Sequence, residues 1–227
     1  MVWVLLIGML LALLVGPSWW VKRVLAKHSK NRADLPGSGG QLAKHLIDAF
    51  ELTDVTLEQT EAGDHYDPIS KTIRLTEPVY HGKSLTAVAT AAHEFGHALQ
   101  HHARYKPLTT RTFLAKQARL VEMLATGALI AIPVLSVVPG AGVFARLLLV
   151  VVVASMFFST IIHLVTLPVE FDASFGKALP ILTQGDYVSH GDISAIRKIL
   201  LACALTYVSQ AMIGVLNIGR WIQLLRR

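Results

Sequence analysis

Ala91-Ala92-His93-Glu94-Phe95-Gly96-His97-Ala98 places two histidines four residues apart, with a glutamate directly after the first. On a helix, residues at that spacing share one face, about 6 Å apart along the axis. His93 and His97 can therefore turn two imidazoles toward one metal ion, and nitrogen ligands completed by an oxygen ligand suit zinc. Glu94 is then positioned to take a proton from a water held by that ion, the general-base role in zinc-assisted hydrolysis. Two histidines do not complete such a site. A third protein ligand is required, with the fourth position left for water.

The third ligand is expected from Pro168-Val169-Glu170-Phe171-Asp172-Ala173-Ser174, directly after a long apolar run. Glu170 lies close to the end of that run, on the same expected side of the membrane as His93 and His97. On a helix Ser174 shares its face one turn on, while Asp172 points elsewhere and reads as support for a ligand rather than a ligand. His101 is eight residues from His93, about 12 Å along the axis, too far for both to hold one ion. His101 and His102 read as solvated or interfacial. His65 and His81 are lone loop histidines that could stand near the site. The oxyanion donor is open among His163, His81 and Tyr80.

The elements that must position these residues follow from composition and pattern. Ser84 is a plausible N-cap, and residues 85–100 carry many alanines and no proline, as a helix requires. Gly96 costs stability inside a helix, which is tolerable where something must approach that face closely. Residues 41–52 place Leu42, Leu46, Ala49 and Phe50 on one face of a short amphipathic helix. Residues 55–59 and 71–76 read as strands and 63–68 as a turn. Ile73 to Leu75 is offered as an edge strand that pairs with an extended substrate, with an ordinary hairpin as the plainer alternative.

The chain has 227 residues, a net charge of +6 and only 16% charged residues, with a mean hydropathy of +0.51. Soluble domains carry about 25% charged residues. The apolar excess sits in blocks, and the basic residues flank them: Lys22, Arg23, Lys27, Lys30 and Arg32 after the first, Arg104, Lys106, Arg111, Lys116 and Arg119 before the second. That is the distribution of a positive-inside membrane protein rather than of a nucleic-acid binder. One cysteine, Cys203, excludes an internal disulfide and a cysteine-based zinc site. In the third apolar run Ser155, Ser159, Thr160 and His163 read as facing a helix-bundle interior.

Four spans are expected: 1–20, 120–138, 143–167 and 199–219, the last with its orientation open. Between them lie a basic juxtamembrane segment with a Gly-rich linker (21–40), a catalytic domain (41–119) whose metal helix covers about 84–102, and a second catalytic segment (168–198) carrying the third ligand. The metal helix is too polar and alanine-rich for an intramembrane protease.

Asp64-His65-Tyr66-Asp67-Pro68, Val79-Tyr80-His81-Gly82-Lys83-Ser84-Leu85, the metal helix, and Leu167-Pro168-Val169-Glu170-Phe171-Asp172-Ala173-Ser174 together resemble the YugP-like membrane zinc metallopeptidases of bacteria. The resemblance covers nearly the whole chain. It implies an integral membrane peptidase of the bacterial cell (inner) membrane, with one zinc per chain on His93, His97 and Glu170, and Glu94 as catalytic base. The arrangement is also similar to HtpX-type and prenyl-protein peptidases, which usually carry an aspartate four residues after the glutamate, where this chain has Ser174. The expected fold is a mainly α integral membrane protein, about four transmembrane helices with a small α+β zincin-like domain at the membrane surface. The site is expected on the cytoplasmic face. The expected partners are the lipid bilayer and a membrane-protein or peptide substrate, with no nucleic acid. The alternative function is a non-catalytic metal-binding membrane scaffold or interaction protein, which would need the histidines but not Glu94.

Overall fold

The computed structural model describes the backbone of residues 2–215; the side chains of residues 2–7, 10–14, 156, 159–160, 163–164 and 207–215 lie outside the description. In chain order the elements are α1 (Val2–Lys27), α2 (Gly39–Ala49), β1 (Thr56–Gln59), β2 (His65–Asp67), β3 (Thr72–Leu75), α3 (Glu77–Tyr80), α4 (Leu85–His102), α5 (Lys106–Val137), α6 (Gly142–Phe171), α7 (Leu179–Gln184) and α8 (Ile193–Val215). A π-helical stretch, Asp172–Ala178, continues α6 toward α7.

The organising element is α4. Its start is fixed by Ser84, whose Oγ accepts a hydrogen bond from Ala87 N at 3.1 Å, satisfying one of the donors a helix N-terminus leaves unpaired. The alanines then explain themselves through packing. α4 is buried on nearly all sides, because α2, the sheet, α7 and the first turns of α8 all close on it, and small side chains let them approach. Phe95, fully buried, is the large exception. On α2, the Ser38 cap and Gln41 exchange reciprocal bonds, and Leu42 and Leu46 face this core.

The sheet has the order β1-β3-β2, with β1 parallel and β2 antiparallel to β3. Ile73 to Leu75 is therefore not an edge. It lies in the central strand, with Ile73 and Leu75 fully buried and partners on both sides: Leu57 and Tyr66 both stand opposite Ile73. The free edges among the described residues belong to β1 and β2. The stretch expected as a turn hides β2, which is three residues long and too short to show an alternation.

The expectation of about four transmembrane helices is also corrected. Among the described residues one helix, α5, is long and apolar enough to cross a membrane, and Gly142–Ser155 is a shorter apolar stretch. The run at 199–219 has a different explanation over its first turns: Ile199, Leu200, Ala202 and Ala204 are fully buried, and Ile196, Ile199 and Leu200 belong to the core around α4. Their apolarity serves protein packing rather than lipid; residues 216–219 lie outside the described residues. In α1, Ser18 and Val21 are likewise buried. The α5–α6 hairpin differs, since Met123, Ile130, Val134, Val143 and Phe144 are all more than half exposed. Exposed apolar side chains in that number on one hairpin mark an interaction or membrane face.

Candidate metal centre

His93 and His97 stand one turn apart on α4, with ring centroids 4.8 Å apart. Glu170 reaches them from the last turn of α6 and is fully buried. His93 Nε2 and His97 Nε2 lie 3.3 Å and 3.2 Å from the same atom, Glu170 Oε2. In a tetrahedral zinc site with bonds of about 2.0–2.1 Å, neighbouring ligand atoms sit about 3.3 Å apart. The donor set and its spacing fit zinc.

The remaining bonds of the two rings sharpen that fit. Ser174 Oγ donates to Leu200 O at 3.0 Å, so it accepts from His93 Nδ1–H at 2.9 Å. Gln100 Nε2 donates to Val169 O and to Asp172 Oδ2, both at 2.8 Å. Its Oε1 is thereby left to accept from His97 Nδ1–H at 3.0 Å. In the neutral ring a proton on Nδ1 leaves Nε2 bare. Two bare nitrogens and a carboxylate oxygen then converge with no donor among them. Three acceptors at that separation require a cation, either a metal ion or an added proton on each ring. Glu170 Oε1 receives no aligned hydrogen bond, although Arg111 Nη1 stands 3.1 Å away. Burial alone would raise the Glu170 carboxyl, but His97, His93 and Arg111 overcome it and hold the group well below the usual carboxylate range.

Glu94 faces the same space, and its side chain makes no hydrogen bond to another described residue. Burial lifts its carboxyl to about 7, against the pull of His93 and with Glu170 and Asp64 adding to the rise. A carboxylate of that basicity suits proton transfer near neutrality. His93, Glu94 and His97 line a cavity of about 290 Å³ together with Asp64, His65 and Arg111. Leu25 of α1 and Cys203 and Thr206 of α8 extend its wall. Cys203 is buried beside Thr90, and burial pushes its thiol up to about 12.

The close approach expected at Gly96 is present: a Cβ there would stand 2.7 Å from Ala173 O and 3.2 Å from Ala173 Cα. That contact lets the π-helical stretch carrying Ser174 lie directly on α4. Asp172 does not reach the metal cluster and holds Gln100 instead. His101 Nδ1 is 2.8 Å from Tyr66 Oη, and His102 is exposed. Tyr80 and His81 line a separate groove with α2 and β1, away from the three candidate ligands. Ser155 is buried and bonds Val152 O, whereas the side chains of Ser159, Thr160 and His163 lie outside the described residues. Gln100 and Arg111 are site residues that the sequence expectations do not include. Gln100, three residues after His97 on the same helix, carried a local signal; Arg111, an ordinary basic residue before an apolar run, carried none.

Known proteins bear on this geometry. The profile of a family described as "Putative neutral zinc metallopeptidase" matches residues 2–226. The chain is 33% identical over 216 residues, 92% of each chain, to a Bacillus subtilis (strain 168) protein named "Putative membrane protease YugP". No solved structure matches. The chain belongs to this neutral zinc metallopeptidase family.

Proposed function

We propose that the chain is a zinc-dependent endopeptidase that hydrolyses peptide bonds in membrane proteins, or in segments close to the bilayer. His93, His97 and Glu170 hold one zinc ion and Glu94 is the general base. The observation that carries this is the convergence of His93 Nε2, His97 Nε2 and Glu170 Oε2 with both Nδ1 protons already committed elsewhere. Zinc in that position supplies a Lewis acid that polarises a carbonyl and acidifies water. The Glu94 carboxylate takes the proton of the attacking water and returns it to the leaving amine, serving as base and then as acid. Arg111 and the two rings keep Glu170 ionised inside a buried site. Ser174 and Gln100 keep each imidazole in one tautomer and one orientation.

An extended substrate is held by backbone pairing along the free edge of β2, whose His65 and Tyr66 line the metal cavity. The site lies at the membrane surface, on the cytoplasmic face. Supporting that placement, Arg111 is in the second turn of α5, the one candidate span among the described residues, whose basic residues precede its apolar part. The deciding experiment is Glu94→Gln in full-length protein in detergent. Loss of all hydrolysis with zinc retained supports the enzyme. No difference from wild type in any assay supports a metal-binding scaffold instead. Soluble chains cleaved as fast as membrane-tethered ones would argue against the substrate class.

A further inference from the structure

A second cavity opens directly off the metal cavity. This groove, of about 480 Å³, runs between β2 and α5 and shares His65, Tyr66, His97 and Arg111 with the metal cavity. Its α5 wall is Leu108, Arg111, Thr112, Ala115, Lys116 and Arg119, a spacing that places all six on one helix face. Opposite, Asp67 and Arg74 form a pair at 3.1 Å, and Arg74 is shared with Glu58. Asp67, the one acid lining the groove, is therefore ion-paired, and Glu58, which shares Arg74 with it, does not line the groove. Lys116 and Arg119 are exposed, and neither pairs with an acid among the described residues. The outer end of the groove thus carries two positive charges without an ion-pair partner among the described residues, a few residues along α5 from the arginine that touches Glu170.

We infer that this groove is a specificity subsite that takes an acidic side chain of the peptide substrate. The inference rests on the peptidase reading and adds a substrate class to it. Lys116 and Arg119 lie five and eight residues beyond Arg111, about 7.5 Å and about 12 Å along α5. An extended peptide advances about 3.3 Å per residue. The acidic residue therefore falls two to four positions from the scissile bond, on one side of it. A peptide is favoured over an anionic lipid headgroup because the groove is concave, is bounded by a strand edge with free backbone groups, and leads to the candidate metal ligands.

The test is a cleavage-site profile from a proteome-derived peptide mixture, using zinc-loaded full-length protein in detergent. Wild type is compared with Lys116→Glu/Arg119→Glu and with Lys116→Gln/Arg119→Gln, and retained zinc shows that each variant is folded. Wild type should be enriched in Asp and Glu two to four positions from the cut. The Gln pair should lose that enrichment, and the Glu pair should replace it with Lys and Arg. For one acidic peptide against its lysine counterpart, the ratio of kcat/KM should fall at least tenfold in the Glu pair. The same profile in all three proteins overturns the subsite. A second arm needs no hydrolysis: fluorescence anisotropy of an acidic decapeptide on Glu94→Gln protein with and without the charge reversals. Peptide binding that is lost on reversal, with no cleavage by wild type, keeps the subsite and sinks the peptidase. Binding to phosphatidylglycerol vesicles that is lost on reversal, with peptide binding unchanged, assigns the charges to lipid and overturns the subsite.

Discussion

Ser174 Oγ stands 2.9 Å from His93 Nδ1 while donating its own proton to Leu200 O. A neutral hydroxyl here does the work of orienting the His93 ring. It can do so because the hydroxyl is both donor and acceptor, and Leu200 O offers an acceptor on its far side. A carboxylate in the same place would confront that carbonyl with a second acceptor. Ser174→Ala removes the bond that fixes the His93 tautomer and should weaken zinc binding about 10–100-fold, measured by competition with a chelator of known affinity. Zinc affinity equal to wild type would show that ring packing alone orients His93.

Gly96 predicts the behaviour of the contact that carries Ser174. A helical Gly→Ala change ordinarily gains about 1 kcal/mol. Here the new Cβ would meet a backbone carbonyl at 2.7 Å, which cannot rotate away as a side chain could. Overpacking of that kind costs about 1–3 kcal/mol. Gly96→Ala should therefore lower the melting temperature and weaken zinc binding together, since Ala173 adjoins Ser174. A higher melting temperature with unchanged zinc affinity would mean that the π-helical stretch yields without consequence.

How far the sequence reaches is set by how local each relationship is. His93, Glu94 and His97 are legible because one turn of helix brings them together, and the Ser84 cap and absence of proline announce that helix. Glu170 is legible because an apolar run ends beside it. Gln100 contacts Val169 and Asp172 about seventy residues away, and Arg111 meets Glu170 across the interface of α4, α5 and α6; no local pattern records either. The helix count fails for a related reason. Hydropathy does not distinguish an apolar residue facing lipid from one facing α4, and Ile199 and Leu200 face the protein core.

At the end of β2, Asp67 gives a pH dependence independent of the metal cluster. The Ile69 N–H, assisted by Ser70 and Arg74 and opposed by partial burial, holds its carboxyl down at about 2. The unfolded value is about 3.9. A carboxyl depressed on folding stabilises the protein fully above the unfolded value and loses that contribution as pH falls toward the folded one. The window is therefore pH about 4 down to about 2. Asp67→Asn cannot titrate, and its melting temperature should fall less steeply than wild type across that window. Parallel slopes would show that Asp67 adds nothing to acid sensitivity.

The three converging acceptors also predict what Glu170→Gln does, in a way that separates metal binding from fold. In wild type, zinc at a hundredfold excess over its Kd should stabilise the folded chain by about 2.7 kcal/mol, read as a rise in melting temperature over chelator-treated protein. The substituted side chain keeps the size of the glutamate but brings an amide that can donate to the bare His93 or His97 Nε2. The clash of acceptors is then relieved by a hydrogen bond without any metal. Glu170→Gln should show a melting temperature that barely responds to zinc or chelator, and elemental analysis should find far less zinc than in wild type. Full zinc and an unchanged thermal response in Glu170→Gln would remove Glu170 as a ligand.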